Sequence, residues 1–157
     1  MLSSLGAEIH QKAPFHGPEE EAFLSVQRAA DLLRRELTDL LKGHALTPSQ
    51  YNVLRILRGA GPGGRLTGEI GERLVVPDPD VPRLVDRMEK RGWVARRRED
   101  DDRRCVRVTL TRAGRKLADS LDAPVQALHL SQWSRLGKAR LRALLDALAA
   151  LRGRVAE

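Results

Sequence analysis

The sequence predicts a mainly α-helical fold with one small β-hairpin. Apolar residues recur at spacings of three and four along most of the chain, which is the period of amphipathic helices. Aromatic residues make up only 3% of the chain, so Leu, Val and Ala must form the core, and this composition suits helices better than a β-sandwich. A single segment alternates apolar and polar residues as a strand does. The 157 residues allow one domain with a substantial core.

The first long helix is predicted to begin at Pro18 and to end near Lys42, after an arm or short helix in residues 1–17. Its apolar residues form a narrow seam. They are Phe23, Val26, Ala30, Leu33, Leu37 and Leu40. A seam of this width is typical of a surface that packs on another helix.

Two short helices are predicted next. Residues 47–50, Thr-Pro-Ser-Gln, combine a capping Thr, a Pro at the first helical position and the Gln of a capping box, so a helix begins there and ends near Gly59. After a loop at 61–64, Thr67 is expected to cap a third helix that ends at about Leu74.

The fourth helix is predicted at about 80–91. Pro82 is tolerated only in the first turn of a helix, which makes Asp80 the expected N-cap. Gly92 is expected to close the helix. A turn containing Pro77 precedes it.

A β-hairpin and two further helices complete the predicted order. Residues 93–98 and 103–110 read as strands around the acidic tip 99–102. Thr111 is expected to cap a helix that runs through Leu128, and a last helix covers about 137–152. Short helices joined by a tight turn and followed by a hairpin indicate a winged helix-turn-helix.

The positive charge is concentrated in this part of the chain. The net charge is +7, from 28 basic and 21 acidic residues. Residues 83–116 hold 13 basic and 6 acidic side chains, so 13 minus 6 accounts for the whole excess of +7. A basic region on a neutral body is typical of a polyanion-binding protein, although charge alone is equally compatible with a solvated face.

An ordered series of segments resembles the MarR family of regulators. The segments are Leu66–Leu74, Arg83–Gly92, Asp102-Arg103-Arg104 and Val108–Gly114. The resemblance covers roughly residues 20–152. It implies a homodimer in which the N- and C-terminal helices of both chains intertwine, and two lobes that read double-stranded DNA at a pseudo-palindromic operator. On this basis residues 1–157 form a single domain, with dimerisation helices at 18–42 and 112–155 and a DNA-binding lobe at 47–110.

The resemblance makes the fourth helix the recognition helix. Arg83 and Arg87 lie one turn apart on one face and are expected to reach guanine edges or phosphates, with Lys90 a phosphate contact. An intrahelical ion pair is the alternative for Arg87. The Pro77, Asp80 and Pro82 side chains shorten the reading end of this helix and put base contacts there in doubt.

The hairpin is expected to be the wing. The resemblance places Arg103 in the minor groove, braced by Asp102 and Arg104 through a guanidinium–carboxylate contact. The acidic residues at 99–101 are expected to pair with wing arginines. Further candidates for phosphate contact, of which alternating strand geometry excludes some, are Arg96, Arg97, Arg98 and Arg107.

Family members commonly bind small aromatic or phenolic effectors between the dimer helices and the lobe. Phe23, Tyr51 and Arg55 are the candidate lining residues, although each is also explained by core packing or surface charge. Cys105 beside Arg104 and Arg107 raises the hypothesis of a redox-sensitive thiol with a lowered pKa, with an incidental strand residue as the favoured alternative.

Other classes of function are disfavoured. The single cysteine and the four scattered histidines give no metal-ligand spacing, and no nucleophile motif or phosphate-binding loop is present. We therefore expect no cofactor, no enzyme activity, no membrane segment and a cytoplasmic location. The prediction is a DNA-binding regulator, most simply a repressor, released by an effector. The alternative is a winged-helix protein-interaction module with weakened or lost operator binding.

Overall fold

The computed structural model describes residues 4–99, 101–102 and 104–153. The mainly helical class with a small hairpin is confirmed. In chain order the elements are α1 (Ser4–Glu8), α2 (Pro18–Lys42), α3 (Pro48–Ala60), β1 (Arg65–Leu66), α4 (Thr67–Arg73), α5 (Val81–Lys90), β2 (Val94–Arg98), β3 (Val106–Leu110), α6 (Arg112–Ser120), α7 (Asp122–Trp133) and α8 (Gly137–Gly153).

Local capping signals place the starts of three helices as predicted. At α3 the Thr47 hydroxyl accepts from the Gln50 N–H at 3.2 Å, and the Gln50 side chain accepts from the Thr47 N–H at 3.0 Å. Asp80 caps α5 and Thr111 caps α6. Each cap satisfies a backbone N–H that the first turn of a helix leaves without a partner.

The predicted cap at Thr67 is wrong. Leu66 is the N-cap of α4, and the Glu69 carboxylate accepts from its backbone N–H at 2.9 Å. The Thr67 hydroxyl instead donates to the Val106 carbonyl at 3.1 Å. The reason is tertiary, because pairing of the preceding residues with β3 brings Thr67 beside that strand.

The hairpin is part of a three-stranded antiparallel sheet in the order β1-β3-β2. The two-residue strand β1, which the sequence did not predict, places Arg65 opposite Val108. Gly64 precedes it with φ of +63°, and a side chain there would overlap the Val108 carbonyl. Glycine at this position therefore allows the chain to lie against the centre of the sheet.

The core lies where α3, α4, α5 and the sheet meet. The largest fully buried side chains are Leu41, Val53, Leu54, Leu57, Ile70, Leu84, Val85, Met88, Val94, Val108 and Leu121. This core packs α5 against the base of the sheet, at Val94 and Val108.

The helix predicted to run from Thr111 through Leu128 is two helices, α6 and α7, which meet at the fully buried Leu121. The helix α8 that follows has no buried residue. Over the described ranges, no helix is both long enough and apolar enough to cross a lipid bilayer.

Candidate nucleic-acid interface

Helix α5 begins with a backbone that the two preceding aspartates organise. The Asp80 carboxylate accepts from the Arg83 N–H at 3.0 Å, and the Asp78 carboxylate accepts from the Asp80 N–H at 2.9 Å. The Asn52 side chain accepts from the Val75 N–H at 2.8 Å and anchors the turn to α3. The acidic groups therefore stabilise the turn. Helix α5 begins after Asp80, which places Pro82 in its first turn as predicted.

The two faces of α5 have different chemistry. Its buried side chains are Val81, Leu84, Val85 and Met88. Arg83 and Arg87 lie on the opposite, exposed face, one turn apart. Among the residues that the structure describes, no carboxylate forms an ion pair with either guanidinium, and the alternative of an intrahelical pair for Arg87 is not observed. Both cations are available to an external anion.

Lys90, near the end of the same helix, has an internal partner. Its ammonium lies 2.9 Å from the Asp86 carboxylate, one turn earlier. This hydrogen bond, with the charge of the ammonium, lowers the pKa of Asp86 below its ordinary value. The Lys90 side chain is still 75% exposed, and exposed pairs of this kind are weak, so a phosphate can compete for it.

Arg96 of β2 points towards α5. Its Nε and backbone N–H donate to the two oxygens of Glu89 at 2.7 and 3.0 Å, and its guanidinium donates to Asp86 at 2.9 Å. The hydrogen bond from the Arg96 side chain lowers the pKa of Glu89. Arg96 was predicted as one of four candidate phosphate contacts, and in the structure its guanidinium lies between the wing and α5.

Arg97 of β2 and Arg107 of β3 are directly opposite each other, on the face of the sheet that Arg96 does not occupy. Like charges opposite one another are unfavourable. The negative charge of Glu99 offsets the repulsion between these two arginines. Its carboxylate accepts from Arg107 at 2.8 and 3.2 Å, and this lowers the pKa of Glu99. Arg107 also donates to the Gly63 carbonyl at 3.3 Å. The expected pairing of the acidic run with a wing arginine is thus present at Glu99, and Arg107 is held against the lobe.

Strand β2 carries two further exposed arginines, Arg97 and Arg98. Over the described part of the wing, neither guanidinium forms an ion pair with a carboxylate. Their side chains leave the strand on opposite faces, so a single DNA surface is expected to meet them unequally.

At the wing tip the Asp102 carboxylate accepts from the Arg104 backbone N–H at 2.9 Å and lies 3.5 Å from the Arg104 Nε. The predicted brace therefore acts mainly through the backbone, and the Arg104 side chain is 95% exposed. Arg103, predicted to enter the minor groove, lies outside the described residues, as does Asp100.

Cys105 does not have the lowered pKa that the redox hypothesis requires. Desolvation and the neighbouring Asp102 carboxylate raise the pKa of its thiol above the ordinary value, outweighing Arg104. Its Sγ lies 3.7 Å from Asp102. A raised pKa leaves less thiolate at neutral pH and disfavours a reactive cysteine.

Two arginines that the sequence did not single out join the lobe to its surroundings. Arg91 donates to the Ala45 carbonyl at 2.7 Å and stacks 5.0 Å from the centre of the Trp93 ring. Arg58 of α3 makes a bidentate contact with Asp122 of α7, with both distances 2.8 Å. The partners are up to 64 residues apart in sequence, so no local pattern indicates these contacts.

A groove of about 700 Å³ lies between α3, α7 and α8. Its lining includes the predicted Tyr51 and Arg55, together with Arg58, Asp122, Gln126, His129, Trp133 and Lys138. Burial raises the pKa of Tyr51, so its hydroxyl stays protonated. Phe23 does not line the groove. It is 61% exposed on α2, so neither a pocket role nor core packing within one chain describes it.

Exposed apolar residues are concentrated on α2, α7 and α8. Those on these helices are Phe23, Val26, Leu32, Leu130, Leu145 and Leu151, and the other large exposed apolar residues of the described ranges are Ile9, Val75 and Val76. In this single chain the first half of the seam predicted on α2 is exposed, whereas its last two residues, Leu37 and Leu40, pack against the core. The Leu-rich face of α8 is partly exposed.

Comparison with known proteins identifies relatives of this chain. Residues 44–104 match the model of the MarR family. The regulator TtmR of Methylorubrum extorquens is 34% identical over 134 residues, which are 85% of this chain and 67% of TtmR. A regulator of Bacillus subtilis, YkoM, is 30% identical over 91 residues, and the match spans 58% of this chain and 57% of YkoM.

Solved structures agree with these matches. A MarR transcription factor from Planctomyces limnophilus has a TM-score of 0.69 and 36% identity, covering 87% of this chain and 98% of its own. A mutant of Escherichia coli MarR in complex with operator DNA has a TM-score of 0.74 and 25% identity, covering 95% and 99%. Bordetella bronchiseptica BpsR, whose DNA binding is regulated by 6-hydroxynicotinic acid, has a TM-score of 0.76 and 23% identity, covering 84% and 98%.

The fold, the order of its elements and these matches lead to one assignment. The chain belongs to the MarR family of winged helix-turn-helix regulators.

Proposed function

We propose that this protein is a transcription regulator that binds double-stranded operator DNA as a homodimer and represses by covering the operator. The observation that carries the proposal is the exposed pair Arg83 and Arg87 on α5, next to a wing strand, β2, that presents Arg97 and Arg98 on its two faces. A helix of this kind enters the major groove, and a wing follows the adjacent backbone or minor groove. Arg103 is proposed as the minor-groove contact at the wing tip.

Binding to DNA selected from a random pool tests this function. We expect two half-sites related by a dyad and about one helical turn apart. The observed binding constant should fall steeply with salt, because each neutralised phosphate releases counterions. Mobility shifts at several salt concentrations measure both properties. Absence of binding at low salt would contradict the proposal and support a protein-interaction module instead.

The homodimer is supported by the exposed apolar surface. Helix α8 has no buried residue in the single chain, and Leu145 is 55% exposed on it. Apolar side chains that are grouped on neighbouring helices and exposed in one chain are typical of an interface, and a two-fold dimer covers the same face on both subunits.

Leu145→Lys is expected to favour the monomer. Each buried leucine contributes about 2 kcal/mol, and a two-fold interface loses it twice, so the dimer dissociation constant should rise by roughly two to three orders of magnitude. Sedimentation equilibrium measures the change. The control is Val75→Lys, which alters an 84% exposed residue in the turn before α5 and should leave the dimer intact. Equal dimerisation of both variants would place the interface elsewhere.

The effector is proposed to occupy the groove beside α3. The groove is lined by the aromatic side chains of Tyr51 and Trp133, which suit an aromatic molecule, and no described carboxylate forms an ion pair with Arg55. With benzoate and phenol as probes, Arg55→Met should weaken benzoate binding at least tenfold and leave phenol binding within about twofold, because only benzoate carries a charge for Arg55. Calorimetry measures both. Failure of both probes to bind the wild-type chain at millimolar concentration would contradict the pocket.

A further inference from the structure

One side chain of the wing, Arg96, is hydrogen-bonded to two carboxylates of the recognition helix. Its guanidinium and backbone N–H together donate to Glu89 and Asp86, as described above, with the shortest contact 2.6 Å from Glu89. The side chains of Arg96, Asp86 and Glu89 are each about one-third exposed, at 32, 33 and 35%. Partial desolvation and a fork of hydrogen bonds make such a contact stronger than an exposed ion pair.

Both carboxylates belong to the helix that carries Arg83 and Arg87. Asp86 and Glu89 are three residues apart and lie on one side of α5. Arg96 lies on β2, directly before the exposed Arg97 and Arg98. The contact therefore joins the C-terminal half of the helix to the strand that carries the basic groups of the wing.

We propose that Arg96 is a positioning residue, which fixes the wing against α5 so that helix and wing meet DNA as one body, and that it does not itself bind phosphate. This inference rests on the proposed DNA-binding function. It assigns Asp86 and Glu89 a favourable role in DNA binding, although both are acidic residues on a DNA-reading helix.

Replacing Glu89 distinguishes a positioning role from a charge effect, because the two predict opposite changes in DNA affinity. Glu89→Gln removes a negative charge near DNA, so simple electrostatics expects tighter binding. Positioning expects the opposite, a loss of about fivefold, because the wing loses its anchor. The matched control is Asp101→Asn, which removes the same charge from the exposed tip and should bind as well as wild type or better. The probe is the duplex selected from the random pool.

Comparing Arg96→Met with Arg97→Met distinguishes a residue that positions the wing from one that binds phosphate. Both lose one positive charge. Arg96→Met should bind about fivefold more weakly with the salt dependence of wild type, whereas Arg97→Met should reduce the slope of log binding constant against log salt by about 0.9 per lost phosphate contact. Hydroxyl-radical footprints of Arg96→Met should lose protection under the wing and keep it under α5, which a general loss of stability would not produce.

The outcomes are separable. If the wild-type chain binds no DNA, the proposed function fails, and Arg96 has no role in DNA binding. If wild type binds and Glu89→Gln binds as tightly or more tightly, only the role of Arg96 is overturned. A reduced salt slope for Arg96→Met would overturn it equally, by showing a phosphate contact. Thermal unfolding of each variant confirms that binding is compared between folded proteins.

Discussion

Replacing Gly114 with Ala is expected to destabilise the protein by about 2–3 kcal/mol. Gly114 lies in the first turn of α6, and a Cβ built on it overlaps the carbonyl group of Trp93. That carbonyl is backbone at the start of the wing, and it also accepts from the Thr111 N–H at 3.1 Å. The overlapping atoms of Trp93 belong to the backbone and cannot move aside as a flexible side chain could, so the helix must separate from the sheet.

Helix propensity predicts the opposite sign, which makes the result informative. Alanine is favoured over glycine inside a helix by about 1 kcal/mol. Gly68→Ala in α4 is the matched control, since a Cβ there meets nothing within 4 Å, and it should be neutral or slightly stabilising. Urea unfolding of both variants measures the difference. Stability of Gly114→Ala equal to that of wild type would show that α6 is not held against Trp93.

Features encoded within a few residues were predictable from the sequence. The caps at Thr47, Asp80 and Thr111 depend on a side chain and the first turn that follows it, so their spacing was sufficient. The family resemblance gave the order of elements. Strand β1 was missed because its two residues pair with β3, more than 40 positions away, and Thr67 was misassigned for the same reason.

The sequence predicted which residues form the candidate interface, but not which of its arginines have carboxylate partners. Alternation along β2 separates two faces, but it does not tell which arginine meets a carboxylate of another element. Arg96 and Arg107 have such partners, and Arg97 and Arg98 have no ion pair among the described residues. Phe23 shows a further limit, since a helical seam predicts an apolar contact without telling whether the partner is the same chain or a second one.

Arg83→Ala is expected to have the largest effect on DNA binding. Arg83 is in the first turn of α5, its backbone is fixed by the hydrogen bond to Asp80, and its exposed guanidinium has no carboxylate partner among the described residues. A fixed arginine at the reading end of a recognition helix typically contributes about 1–3 kcal/mol through a base or phosphate. A homodimer on two half-sites loses this contact twice, so affinity should fall roughly 100-fold or more.

The salt dependence shows which kind of contact is lost. If Arg83 binds a guanine edge, discrimination at one base pair in each half-site should relax while the salt slope changes little. If it binds phosphate, the slope should fall by about 1.8 for the two copies. Arg140→Ala, on the exposed surface of α8, removes the same charge away from the lobe and controls for net charge. Equal affinity of both variants would mean that the reading end of α5, shortened by Pro82, does not reach the DNA, and that the wing carries the recognition.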